Sequence, residues 1–321
     1  MCGFCGIYQP AAASGVDQTL LMQMTRLMAE RGPDAEGFWF DNRIGLGHRR
    51  LTIIDLAAGE QPVYNEDKSI LVVFNGEIFN YQELRRDLIA RGHRFSTNTD
   101  TEVIVHSYEE FGARCVERFR GMFAFALYDT KQGSLLIARD RLGIKPLYYS
   151  TANGRLVFAS EVKPVLLASG GYATPDPAAV DFFTAIGYVP GEDTIFKGVK
   201  KLLPGHLLQW KPGQSAPTIE RYWEVPDDPI RPRSFEEASE EFQALLRESV
   251  RLRLISDVPL GAFLSGGVDS SVIVAQMREL TNAPVKTFSI GYGDSPEHNE
   301  LPHARAVAQL LGTDHTEHVL T

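Results

Sequence analysis

The chain has 321 residues, which at about 150 residues per domain predicts two domains and leaves ample length for a buried core. Hydrophobic residues make up 44% and charged residues 23%, ordinary globular usage that excludes wholesale disorder. With 32 Lys and Arg against 41 Asp and Glu, the formal charge is −9, which argues against a nucleic-acid binder working through a broad basic surface.

Three cysteines, Cys2, Cys5 and Cys115, cannot all pair; such a sparse, odd count suits a reducing cytosol better than a disulfide framework. No apolar run is long enough for a spanning helix, and no signal-peptide pattern opens the chain. These features predict a cytoplasmic protein.

From the N-terminus to about residue 210, short β-type runs alternate with Gly, Asn and Asp, for example 70–74, 122–128, 135–138 and 156–158. Helical spacing predicts helices over about 17–30, 81–91 and 101–111, and the whole reads as an α+β layered domain. Five prolines between 211 and 233 disfavour a continuous element there and predict a linker. Ser234 and Glu237 then form a capping box ahead of an amphipathic helix over about 235–253. Strand (258–264), helix (270–280), strand (286–290), helix (302–311), strand (315–320) follows, the alternation of a parallel α/β sheet.

Cys2 follows the initiator methionine directly, and trimming of Met1 would make it the terminal residue. A terminal cysteine carries a nucleophilic thiol beside an α-amine of pKa about 7.7–8.0, so one residue can supply both nucleophile and base. Five motifs follow in order: Met1-Cys2-Gly3-Phe4-Cys5-Gly6-Ile7, Arg31-Gly32-Pro33-Asp34, His48-Arg49-Arg50-Leu51, Phe74-Asn75-Gly76-Glu77-Ile78-Phe79-Asn80 and Thr99-Asp100-Thr101-Glu102. Gly121–Ala124, Arg139–Leu147 and Leu203-Pro204-Gly205-His206 continue the pattern. Together they resemble the class II glutamine amidotransferase domain, an N-terminal-nucleophile hydrolase with a layered α/β/β/α sandwich, over essentially residues 1–225.

The resemblance implies that Cys2 attacks the side-chain amide of glutamine. It implies that the Asn75 amide and the Gly76 N–H hold the oxyanion, with glycine suited to close approach of the substrate. Arg50 would grip the glutamine α-carboxylate, Glu77 and Asp100 its α-ammonium, and Leu51 and Ile53 would complete the glutamine pocket. Plainer readings stand beside these. Asn75-Gly76 also suits a type I′ turn, Asp100 a helix N-cap, and Arg50 a surface ion pair. Arg31 and Asp34 read as loop-positioning residues, Cys5 and Cys115 as small core residues, and His48 as structural.

Leu264-Ser265-Gly266-Gly267-Val268-Asp269-Ser270-Ser271 lies between a predicted strand and helix, where N–H groups at a helix start favour phosphate. It lacks the Gly-Lys-Ser/Thr of a Walker A loop. It resembles the pyrophosphate loop of ATP pyrophosphatases. That likeness implies ATP binding by Leu264, Ser265, Gly266, Gly267, Val268, Asp269, Ser270 and Ile290, with Asp269 near a bound Mg²⁺. The combination resembles the glutamine-hydrolysing asparagine synthetase family. It implies a glutaminase domain at 2–210, a linker at 211–233, and at 234–321 the opening portion of an ATP pyrophosphatase-like, Rossmann-like synthetase domain. Substrates would be glutamine, aspartate and MgATP, with no other cofactor for glutamine hydrolysis, no nucleic-acid or membrane partner, and a homodimer left open.

Ending at Thr321, the chain is expected to hydrolyse glutamine without making asparagine, the rest of the family's synthetase domain being absent. Two alternatives remain at this point. The run 187–196 resembles an exosortase-associated amidotransferase acting on another acceptor in polysaccharide biosynthesis, and the chain could be an inactive truncated remnant. A β-lactam synthetase is disfavoured because relatives of that kind lack the nucleophilic cysteine.

Overall fold

The computed structural model describes residues 1–10, 15–52, 59–152, 154–170, 173–227, 233–293 and 299–320, and divides into two compact units, Met1–Pro226 and Asp227–Thr321.

The first unit contains two six-stranded antiparallel sheets. One is formed by β1 (Gly3–Tyr8), β2 (Ala35–Phe40), β3 (Ile44–Arg50), β8 (Tyr148–Ala152), β9 (Arg155–Ala159) and β10 (Lys200–Lys201), in the order β10-β8-β9-β1-β3-β2. The other is formed by β4 (Val63–Tyr64), β5 (Ile70–Ile78), β6 (Gly121–Asp129), β7 (Ser134–Arg139), β11 (His206–Trp210) and β12 (Thr218–Arg221), in the order β12-β11-β7-β6-β5-β4.

Alternation along the strands builds three apolar layers. Phe4 and Tyr8 of β1 meet Leu71 and Val73 of β5 between the sheets. Cys5 and Ile7, one residue out of phase, face Leu21 and Met24 of α1 (Gln18–Arg26) and Val165 of α4 (Val162–Ala168). Val72 and Phe74 face Leu84 and Leu88 of α2 (Tyr81–Ala90) and Val103 of α3 (Glu102–Phe111). Helices, sheet, sheet and helices therefore stack as the expected α/β/β/α sandwich.

Several local expectations change. The first helix stops at Arg26; the chain then turns through Arg31 N–H to Met28 O, which brings Arg31 back beside the start of β1. A 3₁₀ helix (Gly112–Arg118), α4 and α5 (Pro177–Ile186) were not anticipated. Proline hid both α-helices: Pro164 lies in the first turn of α4, and Pro177 begins α5 behind the capping Asp176, positions that helices tolerate. The proline-rich stretch after 210 is not all linker, because Thr218–Arg221 forms edge strand β12 against β11.

In the second unit, α6 (Phe235–Arg253) starts at the Ser234–Glu237 capping box. β13 (Gly261–Phe263), α7 (Val268–Leu280), β14 (Lys286–Tyr292), α8 (Leu301–Leu311) and β15 (Asp314–Leu320) give a parallel sheet ordered β13-β14-β15. Val250, Leu264, Val274, Met277, Ala304 and Ala308 fill its core. Burial alternates strictly along β14, so Thr287, Ser289 and Gly291 are covered while Phe288, Ile290 and Tyr292 are exposed.

Candidate active site

Cys2 immediately precedes β1, which lies in the interior of its sheet between β9 and β3. Its carbonyl accepts a hydrogen bond from Arg31 Nε at 3.0 Å, and Arg31 is held by Glu161 at 3.5 Å. Its Sγ lies 3.4 Å from the Leu51 N–H nitrogen and 3.5 Å from the Leu51 carbonyl oxygen. Asp34 accepts from Thr52 N–H at 2.8 Å. Arg31 and Asp34 thus position the segments around the thiol.

Burial pushes the Cys2 thiol pKa up, against smaller downward pulls from the Leu51 backbone, the terminal amine and Arg50. A resting thiol of this kind needs a base. Burial lowers the pKa of the terminal amine, and the charges of Arg31 and Lys145 act in the same direction. In this structure that amine belongs to Met1.

Asn75 and Gly76 lie inside β5, opposite Ala124 and Phe123 of β6, so they form no turn. The Asn75 side chain is buried, and its Nδ2 has no hydrogen-bond partner among the described residues. Packing alone requires glycine at position 76: a Cβ there would lie 2.2 Å from Met122 O and 2.7 Å from Phe123 Cα. Strand β6 occupies the space a side chain would need.

Asp100 is not the cap of α3. Thr101 holds the N-cap position, and the Asp100 carboxylate accepts from Ile78 N–H at 2.8 Å. Burial first, then the Glu77 charge, raises its pKa to about 7. Arg50 is only 9% exposed, which removes the surface ion-pair reading. Its guanidinium packs against Gly59, where a Cβ would lie 3.0 Å from Nη2. Ile53 lies outside the described residues.

His48 is fully buried beside the site, and burial lowers its pKa to about 3. It is therefore neutral, and its Nε2 donates to Phe74 O at 3.1 Å, a bond from the first sheet to the second one residue before Asn75. Cys5 and Cys115 are buried core thiols, each pushed up to about 12 by desolvation.

Lys145 is the residue the sequence reading passed over. It is buried, and its Nζ lies 3.7 Å from Met1 Sδ. Burial lowers its pKa, while Glu77 and Cys2 pull the other way. Asp140 fixes its backbone by accepting from the N–H groups of Leu142, Ile144 and Lys145. The only available signal was a lysine inside the long Arg139–Leu147 motif.

In the second unit, the predicted glycine-rich loop connects β13 to α7 at the C-terminal end of the parallel sheet, where such folds bind ligands. Ser265 and Ser270 hydroxyls lie 2.9 Å apart, and Ser265 Oγ accepts from Gly267 N–H at 3.3 Å. Gly266 has φ +83°, and a Cβ there would lie 2.4 Å from the His303 carbonyl carbon. Val268 and Asp269 are exposed in the first turn of α7, and Ile290 is exposed on β14. The Leu264 side chain instead lies in the core, and its N–H donates to Phe288 O of β14 at 2.9 Å.

Known proteins share this organisation. Residues 1–223 match the family model described as a glutamine amidotransferase domain, and residues 241–321 match that described as asparagine synthase. Asparagine synthetase [glutamine-hydrolyzing] 1 of Bacillus subtilis is 36% identical over 323 residues, covering 100% of this chain and 50% of the relative. A putative asparagine synthetase [glutamine-hydrolyzing] 2 of Methanocaldococcus jannaschii is 37% identical over 338 residues, covering 98% and 64%. The chain thus spans about half the length of the first of these relatives. Among solved structures, glutamine phosphoribosylpyrophosphate amidotransferase from B. subtilis matches with a TM-score of 0.51 at 15% identity, covering 100% of this chain and 91% of that one, a likeness of fold. Given these matches, the chain belongs to the glutamine amidotransferase domain family, with an N-terminal-nucleophile hydrolase fold followed by the opening of an asparagine synthase domain.

Proposed function

We propose that Cys2 hydrolyses glutamine to glutamate and ammonia, as the glutaminase half of a glutamine-dependent asparagine synthetase. The buried, unpartnered Asn75 Nδ2 carries this reading: an orphaned donor costs stability unless a ligand uses it, and a developing oxyanion is such a ligand. Once Met1 is removed, the α-amine of Cys2 takes the thiol proton, and the thiolate attacks the glutamine amide carbon. Asn75 Nδ2 and the Gly76 N–H hold the oxyanion. Collapse breaks the C–N bond, the protonated amine returns its proton to the leaving nitrogen, and ammonia departs from a thioester. Water, deprotonated by the same amine, then releases glutamate and the free thiol.

Arg50 holds the substrate α-carboxylate, Glu77 and Asp100 hold its α-ammonium, and Leu51 with Ile53 walls the pocket. Lys145 contributes positive charge beside the nucleophile and its base. In the synthetase half, Ser265, Gly266, Gly267, Val268 and Ser270 cradle ATP phosphates, with the Leu264 backbone and Ile290 beside the nucleoside. Asp269 offers an exposed carboxylate suited to Mg²⁺, a hard cation. In the whole protein, aspartate is activated as β-aspartyl-AMP and ammonia displaces AMP. Three free cysteines, and the absence among described helices of one long and apolar enough to cross a membrane, support a cytoplasmic setting.

The test is ammonia and glutamate release by the purified chain, together with its N-terminal mass. Processed protein should turn over glutamine, and Cys2→Ala should lose activity by roughly 10³-fold or more. Equal turnover by Cys2→Ala would overturn the assignment.

A further inference from the structure

Away from the thiol, Glu66, His93, His106 and Glu109 converge so that one ligand atom from each lies within 4.8 Å of all the others. They come from three separate segments. Glu66 lies on the turn between β4 and β5, His93 in the loop after α2, and His106 and Glu109 three residues apart on one face of α3.

The four histidine–carboxylate contacts have the spacing of ligands around one small dication, with Glu66 offering either of its two carboxylate oxygens. His106 Nδ1 lies 3.1 Å from Glu109 Oε2 and 3.5 Å from Glu66 Oε2. His93 Nδ1 lies 3.5 Å from Glu109 Oε2 and 3.7 Å from Glu66 Oε1. Ligands about 2.0–2.1 Å from a tetrahedral ion stand about 3.3–3.4 Å apart, inside this range.

All four side chains are also held by further partners, as metal ligands are by their outer partners. His93 Nε2 lies 3.1 Å from Glu110 Oε1. The buried His106 Nε2 has no hydrogen-bond partner among the described residues but faces the Glu102 carboxylate at 3.6 Å. Glu109 Oε1 accepts from Asn65 Nδ2 at 2.8 Å, and Glu66 Oε1 from Arg94 N–H at 2.8 Å. Each imidazole therefore turns Nδ1 inward and backs its Nε2 with a carboxylate, the orientation that makes a neutral ring a good ligand.

We propose that Glu66, His93, His106 and Glu109 form a structural zinc site. Two imidazoles and two carboxylates suit zinc, and four protein ligands close the coordination sphere as in structural sites. The ion ties the β4–β5 turn and the loop after α2 to α3. Glu102, behind His106, also accepts from the N–H groups of Ser96 and Thr97, in the loop that leads to Asp100.

The test uses the tag-free full chain in a Cys2→Ala background, so that the reactive thiol does not compete for metal. After chelator treatment and dialysis it is titrated with zinc alone, and metal content and Tm are measured. One zinc ion per chain and a Tm rise of about 5 °C or more are expected, with Co²⁺ giving the visible absorption of a tetrahedral site. His93→Asn and Glu66→Gln, both at partly exposed positions, should abolish the bound zinc and the Tm rise while leaving the zinc-free Tm nearly unchanged. Two results overturn the proposal. One is less than about a tenth of an equivalent bound with no change in Tm, which would make the cluster a histidine–carboxylate ion-pair network. The other is undiminished zinc binding in both variants.

Discussion

His48 Nε2 stands 3.1 Å from the carbonyl oxygen of Phe74, and this single bond joins the sheet that carries Cys2 to the strand that carries Asn75. The proposed nucleophile and the proposed oxyanion donor belong to different layers, so their mutual distance depends on such ties between layers. A fully buried imidazole with a pKa of about 3 holds that distance without changing charge at working pH.

His48→Ala should destabilise the protein by about 2–4 kcal/mol, through a cavity and an unpaired carbonyl, and His48→Gln by less. Neither should move the pKa values of the glutaminase pH profile. The unfolded histidine takes up a proton below about pH 6.5, whereas the native one waits until about 3. His48 therefore costs stability as pH falls through that window, and His48→Gln should flatten this part of the curve of Tm against pH.

Asn75→Ala should lower kcat for glutamine hydrolysis about 10²–10³-fold with KM changed only a few-fold, because the amide acts on charge that develops in the transition state. Tm should hold or rise, since the truncation removes a donor that is unsatisfied in the ligand-free protein. Steady-state kinetics and thermal melting on the same preparation check both parts.

Asp100, with a pKa of about 7, should make glutamine binding pH-dependent. The ionised carboxylate attracts the substrate ammonium, so affinity should fall about tenfold from pH 8 to pH 6 as Asp100 takes up its proton. Calorimetry on Cys2→Ala isolates this effect from the thiol and its base. The stability consequence runs the other way. Native Asp100 keeps its proton between about pH 4 and 7 where the unfolded residue loses it, so its contribution to stability declines as pH rises through that window. Asp100→Asn should weaken glutamine binding yet melt higher at pH 8, with little difference at pH 4.

Gly266→Ala should disturb the second unit alone. The positive φ and the His303 backbone leave no space for a methyl group, so the loop must move. Nucleotide binding should fall by more than tenfold while glutamine hydrolysis is unchanged, as measured by nucleotide titration beside the ammonia assay.

Much of the fold was legible because its signals are local. The Ser234–Glu237 capping box, the strand–loop–helix alternation after it and the continuous apolar run at the start of β5 each state their structure within a few residues. Asn75 was identified by its motif, but its lack of a partner belongs to the packed sandwich. The packing reason for Gly76 was not legible, because the neighbour that forbids a side chain, β6, lies more than forty positions away in the chain. Lys145 and the four residues of the proposed zinc site carry no spacing signature. Edge strand β12 was masked by flanking prolines that would exclude a central strand but not a border one.

The location of β1 has a consequence for how the protein is made. The first strand of this sequence ends as an interior strand, pairing with β3 and, at Cys5, with Ala159 of β9. At about 5–20 residues per second, roughly 8–30 s separate the synthesis of Cys5 from that of Ala159. Until β9 is made, β1 lacks one of its two neighbours, and methionine trimming can precede closure of the sheet. Processing of the nucleophile and closure of the sheet compete in time, and a slow trimming step would leave a well-folded, catalytically silent molecule.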